Sequence, residues 1–501
     1  ALALPLCVKP IEAKRSRYAS EGDGFHLRAE SFESNQSYVY TAKAHFESGQ
    51  ACGLLFGAKE EQSSFVFNVD RKENRTKLLS FETQNGQVKA TELFSERFIG
   101  GETMLQGEEA MVLPPLSNLP DFYFKVVITS EGDKVYGEFF LDNIKRFGVD
   151  NKIELTSLGY QGGYLGFNTF ASDVCFEDVT IGKSAYSYYS EPYRNQYHYS
   201  QFAHWNNDPN GLVYYQGYYH LYYQMNPYGK TWGDMYWGHA RSKDLLHWQE
   251  LPIALYPDDG TIGFGSGRGF AWSGSAFVYR KGMSPSVDAK NWFPNGKGNG
   301  LLFAYTRDGS SSQDQILVSS DDGGMSFTRR VFLPQSLYQD GGKVDCRDPK
   351  IISLGEQDFL MLVSSQAHNR VIFFRSSDLL SWRPAGGFNY PRPECVDVLD
   401  ITADNGTKKK VLTFMGREYI VGDFLVQGDS VRFLNQEGQD LSTLEMAHGV
   451  TMDYARDRYA TQSFVIDDES SPYYGKPVSV SWWSGVPGEE EAIESGSLAA
   501  F

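Results

Sequence analysis

The 501-residue chain is poor in cysteine and in positive charge, and it contains no long apolar run. Its five cysteines, at positions 7, 52, 175, 346 and 395, include no C-x-x-C pair, which excludes a zinc ribbon, and they are too few for a dense disulfide framework. The net charge of −17 would repel a phosphate backbone, so nucleic acid is not expected as a partner. No stretch approaches the roughly 20 apolar residues that cross a bilayer, so no membrane span is expected.

Tryptophan is absent from the first two hundred residues, whereas all nine Trp lie at or after Trp205. This asymmetry predicts two units of different character. The polar, Tyr-rich stretch around Pro192 is typical of a linker. We therefore expect a first domain at 1–184, a linker at 185–196 and a second domain at 197–501.

Long helical patterns are also lacking, and both units favour β-structure. In the first unit, apolar residues alternate with other residues in three stretches, at 40–46, 122–128 and 135–141. Alternation with a period of two indicates strands with one buried face. The strands recur with turn residues between them, which predicts a sandwich of two sheets.

The second unit contains a faint internal repeat. Ser242–Trp248 (SKDLLHW) is echoed by Ser376–Trp382 (SSDLLSW), with looser copies at Ser320–Phe327 and Gly428–Phe433. Each copy predicts a polar turn that leads to an aromatic anchor at the start of a strand. Their spacing of about 50 to 80 residues is near the size of one four-stranded propeller blade, which gives roughly five blades. Unrelated β-turns would be the alternative.

The segment HWNNDPNGL, residues 204–212, packs turn-forming polar residues between two aromatic clusters. The residues after it predict a hairpin that turns at Gln216-Gly217. Asp208 would then lie at the head of a strand, restricted by both of its chain neighbours. A rigidly placed carboxylate suits a nucleophile, although an Asx-type turn would use the same residues.

Two further carboxylates stand in similarly restricted settings. Asp348 lies in CRDPK, where Arg347 could keep an acid ionised or reach a sugar hydroxyl. Glu394 lies in PRPECV, where two prolines stiffen the approach. Taken singly, each could equally be a loop acid in a salt bridge.

Taken together and in this order, WNNDPNG (205–211), RDP (347–349) and Glu394-Cys395 resemble the three signature motifs of glycoside hydrolase family 32. That family includes invertases, inulinases, levanases and fructosyltransferases. Gln224, Trp232 and WSGS (272–275) extend the resemblance, as do YATQSF (459–464) and SWW (481–483). The resemblance covers roughly residues 196–501.

The resemblance implies a five-bladed β-propeller whose funnel holds the acids. Together with the β-sandwich that the alternation predicts for the first unit, the expected fold is all-β, with an N-terminal β-sandwich followed by this propeller. The resemblance also implies a retaining mechanism, with Asp208 as nucleophile, Glu394 as acid and base, and Asp348 binding ring hydroxyls beside Arg347. The residues expected to bind the substrate are Trp205, Asn207, Gln224, Trp232, Trp272, Ser273 and Arg347. No metal and no cofactor is implied, and the expected partner is a fructose-containing oligo- or polysaccharide.

Some features depart from the family pattern. Arg458 stands where an aromatic residue usually precedes Tyr459. Members normally complete the fifth blade and add a C-terminal sandwich, whereas this sequence stops at Phe501, so we expect a truncated polypeptide or a last blade that closes differently. The N-terminal sandwich resembles concanavalin-like modules, and it would either bind fructan or pack on the propeller as a structural appendage.

The main interpretation is hydrolysis of β-fructofuranosyl linkages in levan, inulin or sucrose. A fructosyltransferase that uses a sugar acceptor is one alternative, and a non-catalytic fructan-binding protein is another. A five-bladed arabinanase would also use a triad of acids. The spacing of His204, His239 and His247 matches no metal-ligand motif. Ala1–Leu6 could be the trace of a signal peptide, which predicts a secreted or cell-surface protein.

Overall fold

The computed structural model describes residues 6–8, 23–59, 63–73, 75–85, 87–97, 121–141, 144–147, 152–182, 195, 198–201, 205–226, 231–233, 235–255, 257, 268–294, 297–309, 313–324, 327–333, 345–355, 357–452 and 458–483. Within these ranges strands dominate, alongside a four-residue helix α1 (Ala289–Trp292) and 3-10 helices at Thr156–Leu158 and Leu441–Thr443. None of these helices has the length and apolar character needed to cross a membrane. The predicted all-β class is confirmed.

The N-terminal part forms one curled sheet of eleven described strands. They are β1 (Leu6–Val8), β2 (Asp23–Glu33), β3 (Tyr38–Lys59), β4 (Ser63–Asp70), β5 (Arg75–Gln84), β6 (Gln87–Arg97), β7 (Asp121–Glu131), β8 (Lys134–Leu141), β9 (Ile144–Arg146), β10 (Ile153–Glu154) and β11 (Gly162–Gly182). The three alternating stretches predicted from the sequence fall in β3, β7 and β8, and their apolar side chains are buried.

The long strands β3 and β11 pair with each other and pass through both layers of the sandwich. The first part of β3 pairs with β7 and the second part with β4, so the strand turns from one layer into the other near Gly49. Gly49 has φ 108°, and a Cβ there would lie 2.3 Å from the Ala171 carbonyl oxygen, so only glycine fits. The layers meet through rings such as Phe67 and Phe124, whose centroids are 5.6 Å apart.

The C-terminal part forms the predicted blades. Blade 1 contains β12 (Trp205–Tyr215), β13 (Tyr218–Asn226), β14 (Tyr236–Ser242) and β15 (Trp248–Leu255). Blade 2 contains β16 (Arg268–Tyr279), β17 (Gly300–Gly309), β18 (Gln313–Ser320) and β19 (Thr328–Leu333). Blade 3 contains β20 (Cys346–Gly355), β21 (Asp358–Ser365), β22 (Arg370–Ser376) and β23 (Arg383–Asn389). Blade 4 contains β24 (Asp397–Thr402), β25 (Lys408–Phe414), β26 (Glu418–Gln427) and β27 (Ser430–Asn435). The short strand β28 (Val450–Thr451) pairs with β26, and the described part of blade 5 is the hairpin of β29 (Arg458–Val465) and β30 (Pro477–Trp483).

The first strands of the five blades form a closed ring. β12 contacts β16, β16 contacts β20, β20 contacts β24, β24 contacts β29, and β29 returns to β12. This closure confirms the five-bladed propeller. It also brings the starts of the inner strands, which are far apart in the sequence, to one end of the central channel.

The sequence repeats lie at equivalent places in the blades. Each copy connects the third strand of its blade to the fourth. The aromatic residue begins the fourth strand in blade 1 and immediately precedes it in blades 2 and 3, whereas in blade 4 Phe433 lies inside β27. In blade 1 the carboxylate of Asp244 accepts hydrogen bonds from two backbone N–H groups of the turn, and Asp378 does the same in blade 3. The predicted turn with an aromatic anchor is confirmed for blades 1 to 3, and the hairpin at Gln216-Gly217 between β12 and β13 is confirmed as well.

One buried cluster joins the sandwich to blade 1. It runs from sandwich residues such as Phe56 and Phe139 to Leu221, Tyr223 and Ile253 of blade 1. The predicted linker at 185–196 lies outside the described residues, apart from Asn195. The shared core nevertheless shows that the two parts pack against each other.

Candidate active site

Asp208 lies near the start of β12, at the end of the channel where the inner strands begin. Ser273 Oγ donates to Asp208 Oδ2 at 2.6 Å, and Asn207 Nδ2 donates to Oδ1 at 3.3 Å. Burial raises the pKa of Asp208, and the nearby Glu394 raises it further, whereas the Ser273 and Asn207 donors lower it. Two donors on two different oxygens fix the orientation of this carboxylate.

Asp348, on β20, is buried in a left-handed conformation with φ 61°. Its N–H donates to Thr306 Oγ1 at 3.1 Å, and its Oδ2 accepts from the Cys395 N–H at 2.8 Å. A non-glycine residue with positive φ is strained, and such strain is common at functional sites. Burial and the carboxylates of Glu394 and Asp208 raise the pKa of Asp348 to about 7, although Arg347 opposes the change.

Glu394 lies in the loop before β24, and different donors bind its two oxygens. Arg347 donates to Oε1 from Nε at 3.2 Å and from a terminal nitrogen at 2.7 Å. The Tyr459 hydroxyl, from β29, donates to Oε2. Burial raises the pKa of Tyr459, with Cys395 and Glu394 adding to the effect, so the phenol stays protonated and can donate.

Cys395 connects the three acids, because it follows Glu394 and contacts both aspartates. Its backbone has φ 45°, its N–H binds Asp348, and its thiol lies 3.8 Å from Asp208 Oδ2. Burial raises the pKa of the Cys395 thiol well above its usual range, and the surrounding carboxylates add to this. The thiol is therefore protonated at neutral pH and is not a reactive nucleophile.

Tryptophan rings line two sides of the site. Trp205 donates from Nε1 to Asn207 Oδ1 at 2.9 Å and packs edge-on against Trp482. On the other side, Trp232 is 50% exposed and packs edge-on against Trp272. The Arg347 guanidinium carbon lies 6.0 Å from the centre of the Trp272 ring. Partly exposed rings around a carboxylate cluster suit a sugar, whose C–H faces stack on aromatic surfaces.

A buried ion pair next to the site connects three of the inner strands. Lys350 Nζ lies 2.5 Å from Asp397 Oδ1 and donates to the Ser463 carbonyl at 2.9 Å. These contacts tie β20 to β24 and β29, the inner strands of blades 3, 4 and 5. The ion pair therefore helps to fix Asp348, two residues before Lys350, relative to Glu394, three residues before Asp397.

The structure brings every residue of the predicted site into one connected cluster. Gln224 is buried and donates to the Ala271 carbonyl at 2.8 Å, next to Trp272. The cluster contains Trp205, Asn207, Asp208, Gln224, Trp232, Trp272, Ser273, Arg347, Asp348 and Glu394.

Sequence reasoning missed two residues of the site. Tyr459 begins the segment YATQSF (459–464), which resembles family 32, but nothing in that segment indicates that its hydroxyl binds Glu394. Thr306, which binds the Asp348 N–H, lies in the middle of β17 and has no sequence signal. Arg458, the departure from the family pattern, donates to Ser481 Oγ at 2.7 Å and so joins β29 to β30.

Within the described ranges, no group of three His, Cys, Asp or Glu side chains is arranged to hold a metal ion. His239 is buried and lies 3.1 Å from His220, nitrogen to nitrogen, whereas His247 is exposed and pairs with Asp244. His204 lies outside the described residues.

Comparison with known proteins gives one family. The model of the glycosyl hydrolases family 32 N-terminal domain matches residues 198–495. A levanase of Bacillus subtilis (strain 168) is 35% identical over 296 residues, which are 56% of this chain and 39% of that protein. A levanase of Bacillus sp. (strain L7) is 29% identical over 444 residues, covering 79% of this chain and 43% of that protein, so the similarity extends into the N-terminal sandwich. The chain thus spans less than half the length of these relatives.

Among solved structures, the exo-inulinase of Aspergillus awamori matches with a TM-score of 0.49 and 24% identity. The match covers 62% of this chain and 63% of that chain.

Proposed function

The chain belongs to glycosyl hydrolases family 32, and from that membership we propose that it hydrolyses β-fructofuranosyl linkages in levan, inulin or sucrose. The two levanases among its relatives support a fructan as the substrate. One observation carries the proposal: three carboxyl groups lie together around Cys395. They are supplied by separate blades and by the loops between them. Each of the three has its own hydrogen-bond donors, as a division of roles requires.

In the first step Asp208 attacks C2 of the fructosyl unit while Glu394 gives its proton to the leaving oxygen. The C2–oxygen bond breaks, a bond from C2 to Asp208 forms, and a covalent fructosyl-enzyme results. The orienting bonds from Ser273 and Asn207 support this assignment, because a nucleophile must be held in line with the bond that breaks.

In the second step Glu394 takes a proton from water, the water oxygen attacks C2, and the bond to Asp208 breaks. Two inversions at C2 retain its configuration. A separation of about 5 Å between the two carboxyl groups is expected for this scheme. Arg347 and Tyr459 support the role of Glu394, because they hold its two oxygens in fixed positions.

Asp348 would bind ring hydroxyls and take no part in the bond changes. Its pKa of about 7 means that carboxyl and carboxylate forms are both accessible near neutral pH. A positive charge that develops at C2 favours the carboxylate, so its stabilising effect would be greatest in the transition state. Trp205, Gln224, Trp232 and Trp272 would complete the pocket for the terminal fructose.

The proposal is tested by incubating the protein with sucrose, inulin, levan and arabinan and separating the products over time. We expect free fructose from at least one fructoside and no release from arabinan. Oligomers longer than the substrate, if they appear early, would overturn hydrolysis in favour of fructosyl transfer. With methanol as a competing acceptor, methyl β-fructofuranoside shows retention, whereas the α-anomer would rule out the covalent intermediate.

We also propose that the sandwich serves as a structural part of the enzyme, because its core is continuous with that of blade 1. If so, the two parts unfold together. All nine Trp lie at or after Trp205, so Trp fluorescence reports on the propeller alone, whereas far-UV circular dichroism reports on both parts. Coincident urea transitions are expected, and an earlier circular dichroism transition would instead indicate an independent module, as a fructan-binding domain would be.

We infer a secreted or cell-surface location from the size of the substrate, because polymeric fructan does not cross a cell membrane. Activity on levan should therefore be found in the medium or on the surface of the producing cells. Activity confined to the cell interior would contradict this.

A further inference from the structure

The turn between β21 and β22, residues 366–369, contacts two segments that carry residues of the site. At its first residue, the Gln366 N–H donates to the Asp345 carbonyl at 2.9 Å. Asp345 comes two residues before Arg347, and its carboxylate lies 3.2 Å from a guanidinium nitrogen of Arg347. One end of the turn is therefore tied to the segment that supplies Arg347 and Asp348.

Asn369, at the other end of the turn, binds the segment that leads to Glu394. Its carbonyl oxygen accepts from the Tyr390 N–H at 2.8 Å, and its side-chain Oδ1 accepts from the Arg392 N–H at 2.9 Å. These two N–H groups lie on either side of Pro391. Asn369 thus holds both ends of a tripeptide that stops two residues before Glu394.

The backbone at Arg392 is strained. It has φ 45°, in the left-handed region, although Arg392 is not glycine and a residue before proline favours an extended backbone. Because Pro391 and Pro393 have no N–H, Arg392 supplies the only backbone donor of these three residues. A strained residue persists only where its surroundings hold it, and the Asn369 side chain provides such a contact.

Tyr390, the other residue that Asn369 binds, has further anchors. Its buried ring stacks on Phe414 with ring centroids 3.7 Å apart, and its hydroxyl donates to Glu418. The start of the segment therefore stays in place when the Asn369 side chain is removed. The residues after it, which lead to Glu394, are the ones that should move.

Glu394 is also held from its other side, which limits how far it can move. Its carbonyl accepts from the Met415 N–H at 3.1 Å. A change at Arg392 should therefore turn the Glu394 carboxyl group slightly and leave the fold intact. Proton transfer requires hydrogen-bond reach to the leaving oxygen, so even a misplacement of about 1 Å slows it.

We propose that Asn369 is a positioning residue, which acts through Arg392 to place Glu394 for proton transfer to the leaving oxygen. The proposal rests on the proposed function, because it assumes that Glu394 is the acid. It adds a residue that lies outside the three sequence motifs and outside the cluster around Cys395.

Asn369→Gly tests the proposal, because glycine accepts the φ of 50° at this position but has no side-chain acceptor. The measured quantity is kcat/KM on methyl β-fructofuranoside and on β-fructofuranosyl fluoride. Methoxide is a strong base that must be protonated as it leaves, whereas fluoride is a weak base and leaves without a proton. We expect kcat/KM to fall about tenfold or more on the methyl fructoside and less than about twofold on the fluoride. Asn369→Asp keeps the acceptor and should stay within about threefold of wild type on both substrates.

Asn405→Gly is the matched control, because Asn405 Oδ1 also accepts from a backbone N–H in a hairpin turn, at the far end of β24. It should behave as wild type on both substrates. Equal losses for Asn369→Gly on the two substrates would overturn the proposal and show an effect on folding or on substrate binding. Unchanged kcat/KM on both would overturn it as well.

Glu394→Gln separates this proposal from the proposed function. It should lower kcat/KM at least about a hundredfold on the methyl fructoside and much less on the fluoride. Equal losses for Glu394→Gln on both substrates, or a wild-type protein that cleaves neither, would refute the proposed function itself.

Discussion

Three clustered carboxyl groups should make the propeller less stable than two carboxyl groups would. The Asp348→Asn variant, which removes one of the three, tests this. Burial and the neighbouring carboxylates raise the pKa of Asp348 from 3.8 to about 7. The folded state therefore binds this proton more tightly than the unfolded chain does. The resulting stabilisation is complete below about pH 4 and is lost as the pH rises through about 7.

The magnitude follows from the pKa change. At about 1.4 kcal/mol per pKa unit, an ionised Asp348 costs at most about 4 kcal/mol at pH 8. Asparagine has the same shape and can still accept from the Cys395 N–H, but Arg347 loses one of its counter-charges. We expect the variant to gain about 1–2 kcal/mol at pH 8 and almost nothing at pH 4.5, while its activity falls sharply.

The assay is urea unfolding followed by Trp fluorescence, which reports on the propeller. With an m-value of about 3 kcal/mol/M, the gain of about 1–2 kcal/mol at pH 8 moves the midpoint upward by about 0.3–0.7 M. Asp400→Asn is the control, because Asp400 is 60% exposed and its ion pair with Lys410 lies at the surface, where such a pair contributes little to stability. An Asp348→Asn variant that is less stable than wild type at pH 8, or equally shifted at both pH values, would refute the reasoning.

Three further outcomes are expected. Asp208→Ala should lower kcat by at least about four orders of magnitude with an unchanged circular dichroism spectrum, and near-normal turnover would remove Asp208 as the nucleophile. Tyr459→Phe removes the donor to Glu394 Oε2. Steady-state kinetics should therefore show kcat reduced about tenfold with little change in KM. A change in KM alone would contradict this positioning role. Lys350→Met leaves Asp397 buried without its counter-charge, which should cost about 3–5 kcal/mol in urea unfolding. Replacing Asp397 by leucine in the same chain should recover most of that loss, and no recovery would show that the ion pair is not the cause.

Features that depend on neighbouring residues were predictable from the sequence. The alternation at 40–46 indicated a strand because side chains on a strand point to opposite faces in turn. The copies of SxDLLxW indicated equivalent turns, and the structure places each between the third and fourth strands of a blade. Asp208, Asp348 and Glu394 stood out because each lies in a short motif with restricted backbone geometry.

Other features depended on contacts between segments far apart in the chain. The closed ring of β12, β16, β20, β24 and β29 sets which residues face each other across the channel. It brings Thr306 to Asp348 and Tyr459 to Glu394, partners separated by 42 and 65 residues in sequence.

By itself, then, the sequence determined the all-β class and the blade repeat, since side-chain periodicity carries that information. The order of its three motifs, through their resemblance to family 32, predicted Asp208, Asp348 and Glu394 as the catalytic acids. Only the tertiary structure decided how the acids are held, why the pKa of Asp348 is raised to about 7, and that the Tyr459 hydroxyl donates to Glu394. The physical reason is that burial and electrostatic interaction depend on distances through space, which are settled when the five inner strands close into a ring.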